Sequence, residues 1–147
     1  MAYKTVTIQS QYFVQKEYKA AASITPGHLI ELNSAGKVRV HANAGQNAQR
    51  MFAVEDDLQG NEIGTAYTAD NTVLCRIFQR GDEVYAILTT SQTITIGDKL
   101  ESAGDGTLRE HTPDSASIVS YPEGVVAVAL EAVTTTTSTS RIRVEII

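Results

Sequence analysis

The chain has 147 residues, of which 42% are hydrophobic and 20% charged, and its formal net charge at pH 7 is -5. This length suits one folded domain, and this composition is typical of a globular protein rather than a disordered one. The acidic balance argues against a nucleic-acid-binding protein, because such proteins cluster Lys and Arg against phosphates.

The first segment, residues 1–22, is rich in Gln, Lys and Tyr, and its apolar residues are weakly patterned. Thr5 to Ile8 alternates as a strand does, but no clear turn follows until Thr25-Pro26-Gly27. Two interpretations stay open: an arm that becomes ordered against a partner, or an ordinary first strand of the fold. Val14 to Ala22 carries a modest helical preference, without an apolar stripe wide enough to establish a helix.

Residues 23–147 are predicted to form the β domain, with about ten short strands separated by turns. Val73–Phe78 and Val84–Leu88, joined by a turn at residues 80–83, form the strongest predicted hairpin. The Thr and Ser tract at residues 134–140 is either a flexible linker or a bent hairpin tip. The other strand candidates are Leu29–Leu32, Lys37–Val40, Met51–Glu55, Thr93–Ile96, Gly124–Val133 and Arg141–Ile147.

A segment recurs at an offset of 70 residues. Residues 26–41 and 96–111 align without a gap, and each reads as a tight turn, a short strand, a glycine turn and a return strand. The shared positions are Gly27/Gly97, Ile30/Leu100, Glu31/Glu101, Gly36/Gly106, Val38/Leu108, Arg39/Arg109 and His41/His111. The repeat predicts two related hairpin units in one all-β domain; a chance match is the alternative, since Gly and Leu recur in any β protein.

The residues that could carry chemistry form no catalytic or metal-binding pattern. Cys75 is the only cysteine, so neither an internal disulfide nor a cysteine cage is possible, and its strand-like setting is typical of a buried hydrophobe. His28, His41 and His111 lack the spacing of a zinc site. The tripeptide at residues 80–82, Arg-Gly-Asp, is better explained as a turn than as an adhesion motif.

The chain also lacks the sequence features of an exported or membrane-spanning protein. No basic segment followed by an apolar one begins it, and no apolar run approaches the roughly 20 residues that cross a bilayer. We therefore expect a soluble protein made in a reducing cytoplasm, with no membrane or nucleic-acid partner, no cofactor and no enzymatic activity.

Several short motifs, in their order along the chain, resemble the capsid decoration (cement) proteins of tailed bacteriophages. None of these motifs is specific alone, and the likeness spans Pro26 to Glu131. The motifs are Pro26-Gly27, Gly36-Lys37-Val38, Phe52-Ala53-Val54-Glu55, Gly81-Asp82-Glu83-Val84, Ile96-Gly97-Asp98-Lys99-Leu100, Gly104-Asp105-Gly106-Thr107-Leu108 and Val126-Ala127-Val128-Ala129-Leu130-Glu131.

The resemblance implies a compact single-domain β-barrel or β-sandwich, of β-clip or tulip-like type, with an N-terminal arm. Such a protein binds the outside of an assembled head, usually as a trimer and alternatively as a dimer, and stabilises contacts between major capsid subunits. The arm residues expected to contact the capsid are Tyr3, Val6, Ile8, Tyr12 and Phe13, with a core role as the alternative. The competing function is a carbohydrate- or host-surface-binding β module on the virion, which the absence of Trp makes weaker.

Overall fold

The computed structural model describes residues 2–113 and 124–147. In these residues the backbone forms thirteen strands and one turn of 3-10 helix, Asp57–Gln59, so the predicted all-β class is confirmed. The strands are β1 (Thr7–Gln9), β2 (Val14–Lys19), β3 (Ile30–Leu32), β4 (Val38–Val40), β5 (Met51–Val54), β6 (Thr72–Ile77), β7 (Glu83–Leu88), β8 (Thr93–Ile94), β9 (Lys99–Ser102), β10 (Leu108–Glu110), β11 (Val125–Ala129), β12 (Val133–Thr134) and β13 (Ser140–Ile146).

The second half of the chain closes into a five-stranded barrel. Its strand order is β7–β10–β9–β11–β13, and β13 pairs back with β7 over the six residue pairs from Ser140 to Glu145. The neighbours are antiparallel except β7 and β10, which run parallel with Leu88 opposite Leu108. Closure leaves this barrel without a free sheet edge. β1 lies outside the ring, paired with β7.

The first half of the chain has the same topology. β2, β6 and β5 form one sheet, and β3 and β4 form a hairpin. Two isolated bridges complete the ring: Leu29 with Phe52, which joins β3 to β5, and Ala20 with Val38, which joins β2 to β4 in parallel. The order β2–β4–β3–β5–β6 therefore matches the order of the second barrel strand for strand.

The 70-residue repeat corresponds to the central hairpin of each ring. Glu31 faces Arg39 across β3 and β4, and Glu101 faces Arg109 across β9 and β10. In both hairpins the arginine Nε donates to the glutamate Oε1 at 2.9 Å. The repeat is thus a repeated structural unit rather than a chance match.

The equivalence extends beyond the residues that the sequence alignment covers. Gly27 N–H donates to the Ala53 carbonyl at 2.8 Å, and Gly97 N–H donates to the Ala129 carbonyl at 2.9 Å. Both glycines have positive φ angles, +100° and +94°, in the left-handed region that favours glycine. The same turn thus fixes the same hairpin against the same neighbouring strand in each half.

Two of the predicted elements differ from the structure. β6 pairs with β2 and β5, whereas β7 pairs with β1, β10 and β13, so the predicted hairpin of Val73–Phe78 with Val84–Leu88 is wrong. The turn at residues 80–83 instead connects the two rings. The modest helical preference from Val14 is also overruled, because six residues of β2 pair with β6.

One hydrophobic core lies inside the first ring, and a larger core lies inside the second. The first contains Ile24, Ile30, Val38, Met51, Ala53, Tyr67, Val73 and Cys75, with Ala20. The second is formed by Leu88, Leu100, Leu108, Ile142, Val144 and others, and it also includes Leu29, Phe52, Val54, Leu74 and Phe78 from the first half. The outer face of the first ring therefore packs into the core of the second.

β5 shows how one strand serves both cores. Successive side chains of a strand point to opposite faces, so Met51 and Ala53 enter the first core while Phe52 and Val54 enter the second. All four are buried. This explains why the strand is a continuous apolar run in the sequence rather than an alternating one.

Polar contacts also join the two rings. Leu29 N–H donates to the Gly106 carbonyl at 2.8 Å, and Gly106 N–H donates to the His41 carbonyl at 3.2 Å. The buried His41 Nδ1 lies 2.7 Å from Ser102 Oγ. These bonds satisfy groups that would otherwise be unpaired at a largely apolar interface.

Gly106 and its equivalent Gly36 allow a matched test of this interface. Both have positive φ, +83° and +74°, so alanine is strained at either position. A Cβ at residue 106 would lie 2.8 Å from Val40 Cβ, whereas one at residue 36 would have nothing within 4 Å. We expect Gly36→Ala to lower the free energy of unfolding by about 1 kcal/mol, and Gly106→Ala by about 2–4 kcal/mol because overpacking is added. Equal losses in urea unfolding would contradict the tight approach of the two rings.

His28 makes the fold sensitive to acid. Burial lowers its pKa from the ordinary value of 6.5, Asp105 opposes that shift, and Arg141 adds to it. Its Nδ1 also accepts a hydrogen bond from Thr25 N–H at 3.1 Å, which requires that nitrogen to be unprotonated. Because the folded pKa lies below the unfolded pKa, the unfolded chain binds the proton more readily, and stability is lost as the pH falls below about 6.5.

We therefore expect urea unfolding to show a less stable protein at pH 5 than at pH 7.5. His28→Asn retains an acceptor for Thr25 without titrating in this range, and it should show a smaller difference between the two pH values. An undiminished difference in that variant would exclude His28 as a source of the acid sensitivity.

Candidate interaction surface

The five residues predicted for a contact arm lie in two different environments. Tyr3, Val6 and Ile8 lie against the second ring: Val6 is fully buried in its core, and the Tyr3 ring contacts the Tyr85 ring edge to face at 5.2 Å. Tyr12 and Phe13 are instead exposed on the surface. The structure thus does not bring the five side chains together into one surface.

β1 is held in place by backbone as well as side-chain contacts. Thr7 lies opposite Val84, and Tyr85 N–H donates to the Val6 carbonyl at 2.8 Å. Val6 N–H donates to Glu55 Oε2 at 3.0 Å, which joins β1 to the first ring as well. Residues 6–9 thereby contribute to the packing of both halves of this chain.

Three consecutive large apolar residues, Tyr12, Phe13 and Val14, form what we call the apolar patch. Their exposed fractions are 74%, 40% and 49%. Single exposed apolar residues are ordinary on protein surfaces, whereas several in one short segment favour an interaction site. Val14 was not among the predicted contact residues, although the uninterrupted run of three large apolar side chains in the sequence signals it.

Arg76 holds the base of the apolar patch. Its guanidinium lies 4.2 Å from the centre of the Phe13 ring, in a cation–π contact. Its Nη1 donates to Thr7 Oγ1 at 2.7 Å, and its Nε donates to Gln15 Oε1 at 3.1 Å. Arg76 on β6 thus ties β1 and β2 together and fixes the position of the Phe13 ring.

The other residues considered for chemistry serve the fold. Burial raises the pKa of Cys75 to about 12, so its thiol is neutral and unreactive at physiological pH. Asp82, the last residue of the Arg-Gly-Asp tripeptide, is buried and accepts a hydrogen bond from Gln79 N–H at 2.8 Å. Its carboxylate therefore stabilises the turn between the rings.

The histidines at equivalent repeat positions, His41 and His111, lie beside equivalent carboxylates. His111 Nδ1 is 2.6 Å from Glu101 Oε2, and His41 Nε2 is 3.7 Å from Glu31 Oε2. In the part of the chain that the structure describes, no group of three or more His, Cys, Asp or Glu could hold a metal ion. No helix within those residues is long and apolar enough to cross a bilayer.

A cleft of about 860 Å³ lies beside the second ring. Its charged residues are of both signs: Arg50, Arg80 and Lys99 against Asp98 and Glu110. The Arg50 guanidinium is already engaged, because it donates to the backbone carbonyls of Val125 and Ile147. This balance of charge favours neither an anionic nor a cationic ligand.

We expect Arg76→Ala to loosen the apolar patch without unfolding the chain. Loss of a cation–π contact and two hydrogen bonds removes about 1–2 kcal/mol of local stabilisation, which corresponds to roughly tenfold faster amide exchange at residues 10–15. Hydrogen–deuterium exchange measures this directly, with Arg39→Ala on β4 as the control, because the Arg39 guanidinium pairs with Glu31 rather than with residues 10–15. Unchanged exchange at residues 10–15 would show that Arg76 does not fix the patch.

No model of a known protein family matches the chain, and no curated protein sequence matches it. Among solved structures, the chain is similar to the N base of the head fiber protein gp8.5 of bacteriophage phi29, with a TM-score of 0.59 and 13% sequence identity. The similarity covers 92% of this chain and 95% of that one. The chain thus shares its fold with that head fiber base over 92% of its length.

Proposed function

We propose that this chain is a structural protein of a phage virion that binds the outer surface of the assembled head and stabilises contacts between major capsid subunits. The observation that carries the proposal is the likeness of the fold to a head fiber base over 92% of the chain. The order of the short motifs from Pro26 to Glu131, which resembles that of capsid decoration proteins, supports it independently.

The apolar patch supplies a surface suited to this role. Tyr12 and Phe13 are large aromatic side chains just before β2, where Arg76 holds the Phe13 ring, and residues of this type dominate the energy of protein interfaces. A rigid anchor loses little conformational entropy on binding. We propose that the patch contacts the capsid and that Tyr3, Val6 and Ile8 contribute by fixing the neighbouring strand.

Oligomerisation would strengthen such binding. A trimer or dimer carries several copies of the patch, so an individually weak contact gains effective concentration once the first copy is bound. An oligomer bound to several subunits would then hold the lattice together through surface contact alone, without a reactive group.

The proposal is tested with expanded phage heads assembled without this chain. We expect the purified chain to co-sediment with the heads and to raise their melting temperature. Failure of the unaltered chain to bind the heads, at concentrations where an oligomer forms, would refute the proposed function.

The double variant Tyr12→Ser, Phe13→Ser tests the role of the patch. Burial of a large apolar side chain contributes about 1.5–3 kcal/mol, so the double variant should bind the heads at least about tenfold more weakly. Leu58→Ser is the matched control, because Leu58 is also an exposed apolar residue, on the 3-10 helix. Equal binding by the double variant and the control would place the contact elsewhere on the chain.

A further inference from the structure

The two rings differ at one edge. β2 in the first ring and β7 in the second are equivalent strands, because each meets a parallel neighbour at its end: Ala20 with Val38, and Leu88 with Leu108. The outer edge of β7 also carries β1, with Thr7 opposite Val84. The first ring contains no counterpart of β1 within the residues that the structure describes.

The outer edge of β2 is therefore open along Val14–Lys19. Among residues 2–113 and 124–147, no strand pairs with this edge before the bridge at Ala20. Equivalent strands pair in the same register in the two rings. Lys16 of β2 lies opposite Cys75 of β6, and Val84 of β7 lies opposite Val144 of β13. Glu17 accordingly takes the place of Tyr85, whose N–H donates outward to β1. An unpaired strand edge is a ready template for an added strand.

The side chains at this edge are as incompletely covered as its backbone. In the second ring Val84 is fully buried, and Val6, which immediately precedes β1, packs into the same core. In the first ring the equivalent of Val84 is the exposed Lys16, and the adjacent Val14 is half exposed. The apolar patch continues directly into this edge, so backbone and apolar surface are open at the same place.

We propose that the outer edge of β2 receives an extended antiparallel strand of the major capsid protein, which carries a carboxylate opposite Lys16. This inference rests on the proposed function and names the contact through which it would act. The strand would repeat on the first ring what β1 does on the second, adding backbone hydrogen bonds and inserting a β-branched side chain like that of Val6. Opposite charges facing each other across two strands stabilise the pair.

A second copy of this chain fits the edge less well. Its β1 already covers its own β7, and lending that strand would expose the core that Val6 closes. Two copies of β2 could also pair with each other through the outward N–H groups of Gln15, Glu17 and Lys19. The two registers of fullest overlap that these groups allow place Lys16 opposite Lys16 or Glu17 opposite Glu17, which is unfavourable. Lysine on an edge strand also discourages indiscriminate self-pairing.

Hydrogen exchange on the head-bound chain tests the proposal. We expect the amide protons of Gln15, Glu17 and Lys19 to exchange at least about tenfold more slowly on heads than in the free chain, since these would gain partners. Lys16→Glu should weaken binding to the heads at least about tenfold, whereas Lys99→Glu, a charge reversal on the exposed face of β9, should not. Glu17→Pro removes the outward N–H and should abolish binding while the melting temperature of the free chain shows that it still folds.

A synthetic peptide separates this inference from the proposed function. The peptide copies residues 5–9 with Thr7→Glu, because Thr7 lies opposite the equivalent of Lys16. We expect the peptide to shift the amide resonances of residues 14–19 in the free chain.

Heads that bind the unaltered chain and its edge variants equally, without slower exchange at β2, would overturn the inference and leave the proposed function standing. A chain that binds the peptide but not the heads would refute the capsid as the partner, and one that binds neither would refute both. A dimer that forms in solution through β2 would also overturn the inference.

Discussion

The structure depends on the packing of the outer face of the first ring into the core of the second. Five side chains of the first ring pack into the larger hydrophobic core of the second: Leu29, Phe52, Val54, Leu74 and Phe78. A ring of this size encloses only a small core, and domains of so few residues are marginally stable alone. Because apolar side chains of both halves pack into one core, each half gains buried area that it would not have alone. The two rings therefore form one domain rather than two.

This shared interface explains which positions tolerate substitution least. Gly106 has no room for a side chain because Val40 lies against it, while Gly36, its equivalent, faces open space. His41 is buried against Ser102, while His111 at the equivalent position is paired with Glu101 nearer the surface. The same local fold therefore carries different constraints in the two halves, according to which side faces the interface.

The asymmetry between the rings also determines which surface remains for a partner. β1 covers the outer edge of β7, and Val6 just before it packs into the core of the second ring, whereas β2 in the first ring keeps an open edge beside Tyr12, Phe13 and Val14. A protein that acts through shape and repeated contact needs such a surface and needs no reactive group.

The sequence by itself determined the class of the fold and its central hairpins. Alternation in β13, where Ile142, Val144 and Ile146 are buried between charged residues, follows from the two-residue period of a strand. The glycines at 27, 36, 97 and 106 marked turns because their positive φ angles suit glycine best. These are local effects, which a sequence shows directly.

Only the tertiary structure decided how the strands pair. The apolar strands β6 and β7 are adjacent in sequence and separated by a good turn, yet each belongs to a different ring, because burial of both faces of β5 and β6 is worth more than one local hairpin. The division of the predicted contact residues, with Val6 buried and Tyr12 exposed, has the same origin. Which apolar side chains are covered depends on long-range packing between the rings, and no local pattern in the sequence records it.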